Sequence, residues 1–317
     1  MSFFNKVKKG LEYPYGILDN MLTKNASKIN DDEFYVKWKF FARKHKFLNL
    51  KHPVTYNEKC NWLKLYYRNP LFTTMADKIE VKKYVDERLG PGHTFPLLKV
   101  YDNPDEINFE ELPNQFVLKC NHNSGEGMVI CRDKANGILR HGKSADKTNL
   151  TYDEIRNGLK IALKQDYFAS EREWPYKNIK RRILAEKFMT MDDGSNLQDY
   201  KFFCFDGEPK YIWTGSNYDP MWFDVYSIDW KNQHVKWGYP AGPEILPPPT
   251  QLEEMLDIAR KLSKGIPHVR VDLYSIGGTI YFGEFTFFTW AGMGNFDPPK
   301  WDKIFGDLIN LPNQIIV

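Results

Sequence analysis

The residues near the C-terminus that could do chemistry are two carboxylates and an arginine. Asp272 follows Arg270 by two positions in a segment rich in β-branched and aromatic residues, and Glu284 lies in the next such segment. Gly277 and Gly278 separate the two segments, which predicts a β-hairpin. A carboxylate among apolar neighbours needs a partner, and Mg²⁺ sites use one or two carboxylates together with substrate phosphates. One interpretation is therefore a divalent cation held between the two strands.

The register of the hairpin decides whether the carboxylates can share that cation. With a strict two-residue turn, Asp272 lies opposite Gly283, and Glu284 points to the other face. A three-residue turn or a bulge instead puts Asp272 and Glu284 on one face, with Thr286 beside Arg270. Two close carboxylates repel, so without metal one should have a raised pKa or lean on Arg270 or a lysine. The sequence leaves open the alternative of an amphipathic hairpin whose acids face water.

A second candidate site is a lysine followed by a small polar loop. The apolar residues 116–118 end at Lys119, and a loop with two glycines leads into a further apolar segment from Val129. Glycines let backbone N–H groups approach a phosphate, and the lysine supplies a point charge. The loop is not a Walker A motif, and glycine-rich hairpins without a ligand are common. His122 in this loop is either a base or substrate ligand, or a hydrogen-bonded loop histidine.

The amino-acid composition limits the classes of protein to which the chain can belong. The chain has 317 residues, of which 42% are hydrophobic, and can bury a sizeable core. Its net charge of +3 is too small to predict nucleic-acid binding. The four cysteines lie apart without a CxxC spacing, which is typical of reduced thiols in the cytoplasm. The N-terminus lacks an apolar signal region, and no run is long enough to span a bilayer. We expect a cytoplasmic protein without a transmembrane segment.

Alternating helices and strands must position these residues. The first helix begins near Asp31 and carries Phe34, Trp38 and Phe41 at helical spacing among lysines. This pattern favours a helix whose lysines face solvent and whose aromatic residues face the core. The alternative is a basic patch for anionic surfaces. Thr55 and Glu58 have the spacing of a capping box. Further helices are predicted over residues 75–85, 151–167 and 252–262. Strands are predicted over residues 95–101, 116–119, 181–189, 199–205 and 209–213.

In chain order these features resemble the ATP-grasp superfamily, of which D-alanine–D-alanine ligases are members. The order is Lys78 on a helix, a strand lysine with a glycine-rich loop, a strand ending in Glu-Lys, an Arg-x-Asp strand and a strand ending in a glutamate. The phrases FVLKCNHNSG, DYKFFCFDGEPK and RVDLY…YFGEFTF are similar to the teichuronopeptide-biosynthesis (TupA-like) type. Those proteins belong to bacterial surface-polysaccharide clusters, and some are labelled glycosyltransferases. The resemblance covers about residues 75–300.

The resemblance implies an α+β ATP-grasp fold, in which two α+β lobes clasp ATP between their sheets, with a helical N-terminal region. The implied divisions are residues 1–75 for the helical region, 76–113 for the first part of the core, 114–185 for the small lobe and 186–317 for the large lobe with the metal site.

The resemblance also implies a role for each site residue. ATP phosphates are contacted by Lys78, Lys119 and the loop residues Asn121, Ser124, Gly125 and Gly127. Glu186, Lys187 and Phe188 form the adenine hinge, and Asp199 lies near the ribose. Lys201 reaches a phosphate or the substrate, and Arg270 steadies the transferred phosphoryl group. Mg²⁺ is held by Asp272, Glu284 and Thr286. The family commonly has asparagine where this chain has Thr286, whose hydroxyl binds a metal more weakly than an amide oxygen, so the number of Mg²⁺ ions stays open.

The implied activity is that of an ATP-dependent carboxylate–amine ligase that forms an acyl phosphate. Its expected substrates are a uronic-acid carboxylate, on a nucleotide sugar or a glycan, and an amino acid or small amine. The expected pathway is bacterial capsule or surface-polysaccharide biosynthesis. One alternative is a sugar transferase, but its DxD motif is absent and Asp192-Asp193 is the nearest feature. The other alternative is a non-catalytic polysaccharide-binding protein, which has no need for these charged residues in this order.

Overall fold

The computed structural model describes residues 14–125, 127–141, 149–217 and 220–313. The prediction of an α+β protein with an N-terminal helical region is confirmed. The helices are α1 (Pro14–Lys24), α2 (Asp32–Lys44), α3 (Tyr56–Tyr66), α4 (Leu71–Ala76), α5 (Glu80–Leu89), α6 (Tyr152–Lys164), α7 (Tyr167–Glu171), α8 (Leu252–Ser263) and α9 (Lys300–Asp307). The strands are β1 (Leu97–Tyr101), β2 (Phe116–Cys120), β3 (Val129–Asp133), β4 (Ile138–His141), β5 (Ile183–Lys187), β6 (Asp199–Phe205), β7 (Glu208–Ser216), β8 (Trp222–Ser227), β9 (Lys236–Trp237), β10 (His268–Ile276), β11 (Thr279–Thr286) and β12 (Phe296–Asp297).

Two five-stranded antiparallel sheets carry the candidate site residues. The smaller sheet has the order β1-β5-β2-β3-β4, and the larger has the order β11-β10-β6-β7-β8. One core joins the larger sheet to α3, α5, α8 and α9, and a second joins the smaller sheet to α6. The domain boundaries at residues 75, 113 and 185 stay predictions. Strand β1 lies before residue 113 but pairs with β5 in the smaller sheet.

The segment before β1 connects the two sheets. The backbone N–H of Phe282, on β11, donates to the carbonyl of His93 at 2.7 Å. The ring of Phe95 stacks on Tyr281 at 5.7 Å and contacts Tyr274 at 5.4 Å. Because β10 and β11 belong to the larger sheet and β1 to the smaller, these contacts hold one sheet edge beside the other.

Helix α2 begins as predicted but faces the other way. The side chain of Asp31 caps it by accepting from the N–H of Phe34 at 2.9 Å. However, Phe34 and Trp38 are 48% and 39% exposed, whereas Phe40 and Lys39 are fully buried. The prediction of solvated lysines over an aromatic core is therefore wrong for this helix. The alternative of a patch for anionic surfaces stays untested.

The helix predicted over residues 75–85 is broken at Lys78. Helix α4 ends at Ala76 and α5 begins at Glu80. The carboxylate of Asp77 accepts from the N–H groups of Ile79 at 2.8 Å and Glu80 at 3.3 Å, which starts a new helix there. Lys78 thus lies in a turn rather than on a solvated helix face.

Other local predictions are confirmed with small changes of extent. Thr55 and Glu58 form the capping box of α3, with Thr55 N–H to Glu58 Oε2 at 3.1 Å. The helix predicted over residues 151–167 ends at Lys164, and α7 begins at Tyr167. All four cysteines are free thiols and buried. In the described part of the chain, no helix is both long and apolar enough to cross a membrane.

Candidate active site

The hairpin of β10 and β11 combines a tight turn with a bulge. Gly277 and Gly278 have φ of 55° and 76°, values that favour glycine, and they form a two-residue turn between paired residues. The register shifts after Asp272, so Asp272 pairs with Glu284 while Gly283 is left unpaired. The bulge restores the two carboxylates to one face, which is the arrangement that a shared cation requires.

The bulge depends on the absence of a side chain at Gly283. A Cβ there would lie 2.7 Å from the ring of Tyr274 and 3.2 Å from the carbonyl oxygen of Asp272. A close approach of this kind needs a glycine in the strand.

The carboxylate of Asp272 accepts hydrogen bonds from two cationic side chains. Arg270 donates to it through Nε and Nη2, each at 2.7 Å, and Lys201 Nζ donates to Oδ2 at 3.1 Å. Lys201 is also bonded to Asp199. Burial alone would raise the pKa of Asp272, but Arg270 and Lys201 hold it below its ordinary value. The expectation that one carboxylate leans on Arg270 or a lysine is confirmed.

Glu284 and Thr286 face open space. The side chain of Glu284 is 48% exposed, and its contact with Arg270 Nη2 is long, at 3.5 Å. Thr286 pairs with Arg270 across the strands. Among the described residues, no group of three or more His, Cys, Asp or Glu side chains is arranged to hold a metal. Glu284 nevertheless fits a Mg²⁺ ion that arrives with phosphate oxygens, whereas both oxygens of Asp272 are engaged.

On the smaller sheet, Glu186 pairs with two lysines. Lys119 Nζ lies 2.5 Å from one carboxylate oxygen of Glu186, and Lys82 Nζ lies 2.6 Å from the other. Burial would raise the pKa of Glu186, but Lys119 and Lys82 hold it below its ordinary value. Glu186 is therefore a buried anion that orients Lys119.

The loop after Lys119 is tied to Lys78 and to the segment before β5. Lys78 Nζ donates to the carbonyl of Asn123 at 2.5 Å, and burial lowers the pKa of Lys78. The Asn121 side chain is buried and bonds the backbone of Lys180 at 2.9 Å and Arg182 at 2.8 Å. Asn121 thus shapes the loop, and its predicted contact with phosphate stays a prediction.

The remaining loop residues differ in their surroundings. Ser124 lines a cavity, and Gly125 has a φ of 81°. A Cβ at Gly127 would lie 2.7 Å from Ala162, so this glycine allows the loop to pack against α6. Glu126, in the middle of the predicted loop, lies outside the described residues.

His122, for which a base or a ligand was one interpretation, is buried. Its Nε2 lies 3.2 Å from the carbonyl of Gln165, and burial lowers its pKa to about 4. These contacts favour the interpretation of a structural loop histidine.

Two adjoining cavities collect most of the predicted residues. The smaller, of about 210 Å³, lies between the sheets and is lined by residues of both, including Val117, Lys119, Glu186, Phe188 and Tyr274. The larger, of about 510 Å³, is lined by Lys78, Ser124, Lys201, Arg270, Glu284 and Thr286. Asn217 lines both. Lys187 also lines the smaller cavity. Asp199 is buried and bonded to Lys201, and it lines neither cavity.

Sequence reasoning missed several residues that line the larger cavity. They are Arg43 from α2, Glu171, Glu173 and Tyr176. None of these lies in a recognisable motif, and they come from two separate parts of the chain. A buried charge in a short connection between helices gives no periodic signal, so only the folded chain reveals them.

The family model described as TupA-like ATPgrasp matches residues 58–310. No curated protein matches the chain. Among solved structures, D-alanine–D-alanine ligase from Bacillus anthracis complexed with ATP is 18% identical, with 67% of this chain and 53% of that chain covered and a TM-score of 0.38. D-alanine–D-alanine ligase from Helicobacter pylori is 15% identical, with coverage of 80% and 69% and a TM-score of 0.46. N5-carboxyaminoimidazole ribonucleotide synthetase from Thermus thermophilus is 12% identical, with coverage of 68% and 45% and a TM-score of 0.37. The chain thus spans about half the length of the first of these proteins.

Proposed function

Because the chain belongs to the TupA-like ATP-grasp family, we propose that it is an ATP-dependent carboxylate–amine ligase that works through an acyl phosphate. The observation that carries this proposal is the pair of adjoining cavities. The smaller one combines apolar side chains with Lys119, and the larger one carries Arg270, Lys201 and Glu284. A partly apolar slot beside a chamber that contains Arg270 and Lys201 suits a nucleotide whose terminal phosphate reacts in that chamber.

The nucleotide occupies the space between the two sheets in this proposal. Val117, Ile130 and Phe188 offer apolar faces to an adenine ring, and the backbone of Lys187 and Phe188 supplies the hinge. Lys119, oriented by Glu186, and Lys78 reach toward the phosphates. The loop that holds Ser124 and Gly125 closes over them. Asp199 holds Lys201 in place, and its position near the ribose stays a prediction.

Phosphoryl transfer takes place beside Arg270. The substrate carboxylate attacks the terminal phosphoryl group, and Arg270 and Lys201 neutralise the charge that spreads over it. Asp272 fixes both cations in orientation through the hydrogen bonds described above. When bound, Mg²⁺ adds further charge neutralisation at the phosphates, with Glu284 as its available protein ligand and Asp272 and Thr286 as its neighbours.

A uronic acid is the proposed carboxylate substrate, on a nucleotide sugar or a glycan of a bacterial capsule or surface polysaccharide. An aromatic side chain of the larger cavity supports a sugar there, because a flat ring packs against the apolar face of a pyranose. It is Trp290, which is 41% exposed, whereas Trp213 and Phe223 in the same lining are buried in the core. An amino acid or small amine is the second substrate, and the proposed location is the cytoplasm.

A sugar transferase has less support. Asp192 and Asp193, the residues nearest to a nucleotide-sugar metal motif, lie in an exposed turn and line neither cavity.

The test is to incubate the protein with Mg-ATP, a panel of uronic acids and a panel of amines, and to analyse products by mass spectrometry. The proposal predicts ADP together with a product whose mass is the sum of acid and amine less one water. Release of ADP without such a product, or transfer of a sugar without ATP consumption, would contradict it.

A further inference from the structure

Part of the lining of the larger cavity comes from segments of the chain that the phosphoryl-transfer chemistry does not use. Arg43 comes from α2, Glu171 from the end of α7, and Glu173 from the connection that follows. Tyr167 and Tyr176 line the same cavity. Since Arg270 and Glu284 also line this cavity, a molecule bound beside Glu173 lies in the same chamber as the transferred phosphoryl group.

Glu171 and Glu173 differ in their partners. Glu171 is neutralised by Arg43, which donates to both of its oxygens at 2.9 Å, and by Lys39 at 3.2 Å. Glu173 is only 6% exposed, yet within the described part of the chain its carboxylate has neither a hydrogen-bond donor nor an ion-pair partner. It faces the cavity instead. A buried carboxylate without a donor is costly, so a cavity that presents one is suited to a cationic hydrogen-bond donor.

The charges around Glu173 come from four directions. Lys64 on α3 is buried and donates to the carbonyl of Ala291 at 2.9 Å, not to Glu173. Burial raises the pKa of Glu173, and Lys64 and Arg270 oppose that rise while Glu171 and Glu284 add to it. The group therefore exchanges a proton more readily near neutral pH than an ordinary glutamate, as a general base should.

We propose that Glu173 binds the ammonium group of the amine substrate and takes a proton from it when the amine attacks. This rests on the proposed ligase function. An ammonium ion supplies the missing donors and the compensating charge, and the rings of Tyr167 and Tyr176 offer faces that attract a cation. The N-terminal helical region then has a role in the site, since α2 provides Arg43, which keeps Glu171 from competing for the same ammonium.

Amide formation involves two proton transfers and the displacement of phosphate. One ammonium proton passes to the Glu173 carboxylate, which frees the nitrogen lone pair. That pair forms the C–N bond at the carbonyl carbon of the acyl phosphate, and the C–O bond to phosphate breaks with its electron pair going to the phosphate. A second nitrogen proton passes to the leaving phosphate, giving hydrogen phosphate and a neutral amide. Glu173 returns its proton to water after the product leaves.

Binding tests the recognition half of this inference without turnover. The protein with Mg-AMP-PNP is probed by saturation-transfer NMR with glycine, L-alanine and ethanolamine, and with their N-acetyl forms, which carry no ammonium group. We expect transfer to the ammonium-bearing probes in the native protein, none to the N-acetyl forms, and loss of transfer in Glu173→Gln. Glu253→Gln, which changes an exposed glutamate on α8, should behave as the native protein does. Equal transfer in the native protein and in Glu173→Gln would overturn the inference.

Turnover separates this inference from the ligase proposal itself. Hydroxylamine is uncharged at neutral pH and needs neither an ammonium site nor a general base, so it traps the acyl phosphate as a hydroxamate. With D-glucuronate and D-galacturonate, Glu173→Gln should form hydroxamate at the native rate but form amide with the amine probes about 100-fold more slowly. Glu173→Asp keeps the carboxylate and should recover part of the amide rate. Parallel loss of hydroxamate and amide in Glu173→Gln overturns the inference alone, whereas absence of hydroxamate and ADP with the native protein overturns the ligase proposal and the inference with it.

Discussion

Replacing Asp272 by asparagine removes the anion at the centre of the larger sheet's charge cluster. If repulsion between Asp272 and Glu284 dominated, the change would stabilise the protein without its substrates. The structure reverses that expectation, because Asp272 is 1% exposed and hydrogen-bonded to both Arg270 and Lys201. Asp272→Asn leaves Lys201 with Asp199 as its bonded anion, and leaves Arg270 with the longer contact to Glu284 at 3.5 Å.

The expected cost follows from those contacts. Removing one partner of a buried ion pair costs about 3–5 kcal/mol, because the other charge stays buried without compensation. Asparagine keeps one acceptor oxygen, and Lys201 keeps its bond to Asp199. We therefore expect a loss near the lower end, about 3 kcal/mol in the free energy of unfolding.

The assay is urea unfolding followed by tryptophan fluorescence, with ADP formation measured on the same samples. Asp307→Asn is the matched control: Asp307 forms an exposed pair with Lys303 at 2.6 Å, and such pairs contribute about 0.2–1 kcal/mol. Turnover should collapse in Asp272→Asn and not in the control. An Asp272→Asn protein that is as stable as the native one, or that keeps full Mg²⁺-dependent turnover, would refute the role given to this cluster.

Three further predictions concern the smaller sheet and its loop. Lys119→Ala should bind Mg-AMP-PNP at least about tenfold more weakly in calorimetry, because a charged hydrogen bond contributes about 1.5–3 kcal/mol. The control Lys99→Ala, on the exposed side of β1, should bind with native affinity. Equal affinities of Lys119→Ala and the native protein would make Lys119 an ordinary strand-end lysine. Amides of residues 120–125 should exchange hydrogen more slowly with nucleotide than without it, and identical protection would count against a phosphate-contacting loop. The free energy of unfolding should fall on acidification, because the pKa values of Glu186 and Asp272 are lowered in the folded protein. The stability that these two carboxylates contribute is present above their unfolded-state pKa of about 4 and is lost as the pH falls below that value. A urea midpoint that does not change between neutral pH and the acid range would contradict this.

The sequence predicts the strands that carry the site better than it predicts the faces they present. Alternation and the two turn glycines are enough to locate the hairpin of β10 and β11. Whether Asp272 and Glu284 share a face depends on the bulge at Gly283, where the ring of Tyr274 leaves no room for a Cβ. The sequence shows a glycine there, but not the contact that makes it necessary.

A buried charge is one reason why the prediction for α2 failed. The spacing of Phe34 and Trp38 suggests an inward aromatic face, but the buried face of α2 carries Tyr35, Val36 and Phe40 together with Lys39. Its Nζ donates to the carbonyl of Ser170 at 2.7 Å and pairs with Glu171 at 3.2 Å. These partners lie far from Lys39 in the sequence, so no local pattern can predict them. The same reason hides Glu173 from sequence analysis.

The most direct test of the central claim follows the oxygen atoms of the carboxylate substrate. The protein is incubated with Mg-ATP, the amine probes, and D-glucuronate and D-galacturonate labelled with ¹⁸O in the carboxyl group, and the released phosphate is analysed by mass spectrometry. An acyl phosphate transfers one carboxylate oxygen to phosphate, so the account predicts phosphate that contains a single ¹⁸O for each amide formed. Phosphate without ¹⁸O, released at the same rate with and without the uronic acids, would mean that water attacks ATP and would contradict the account.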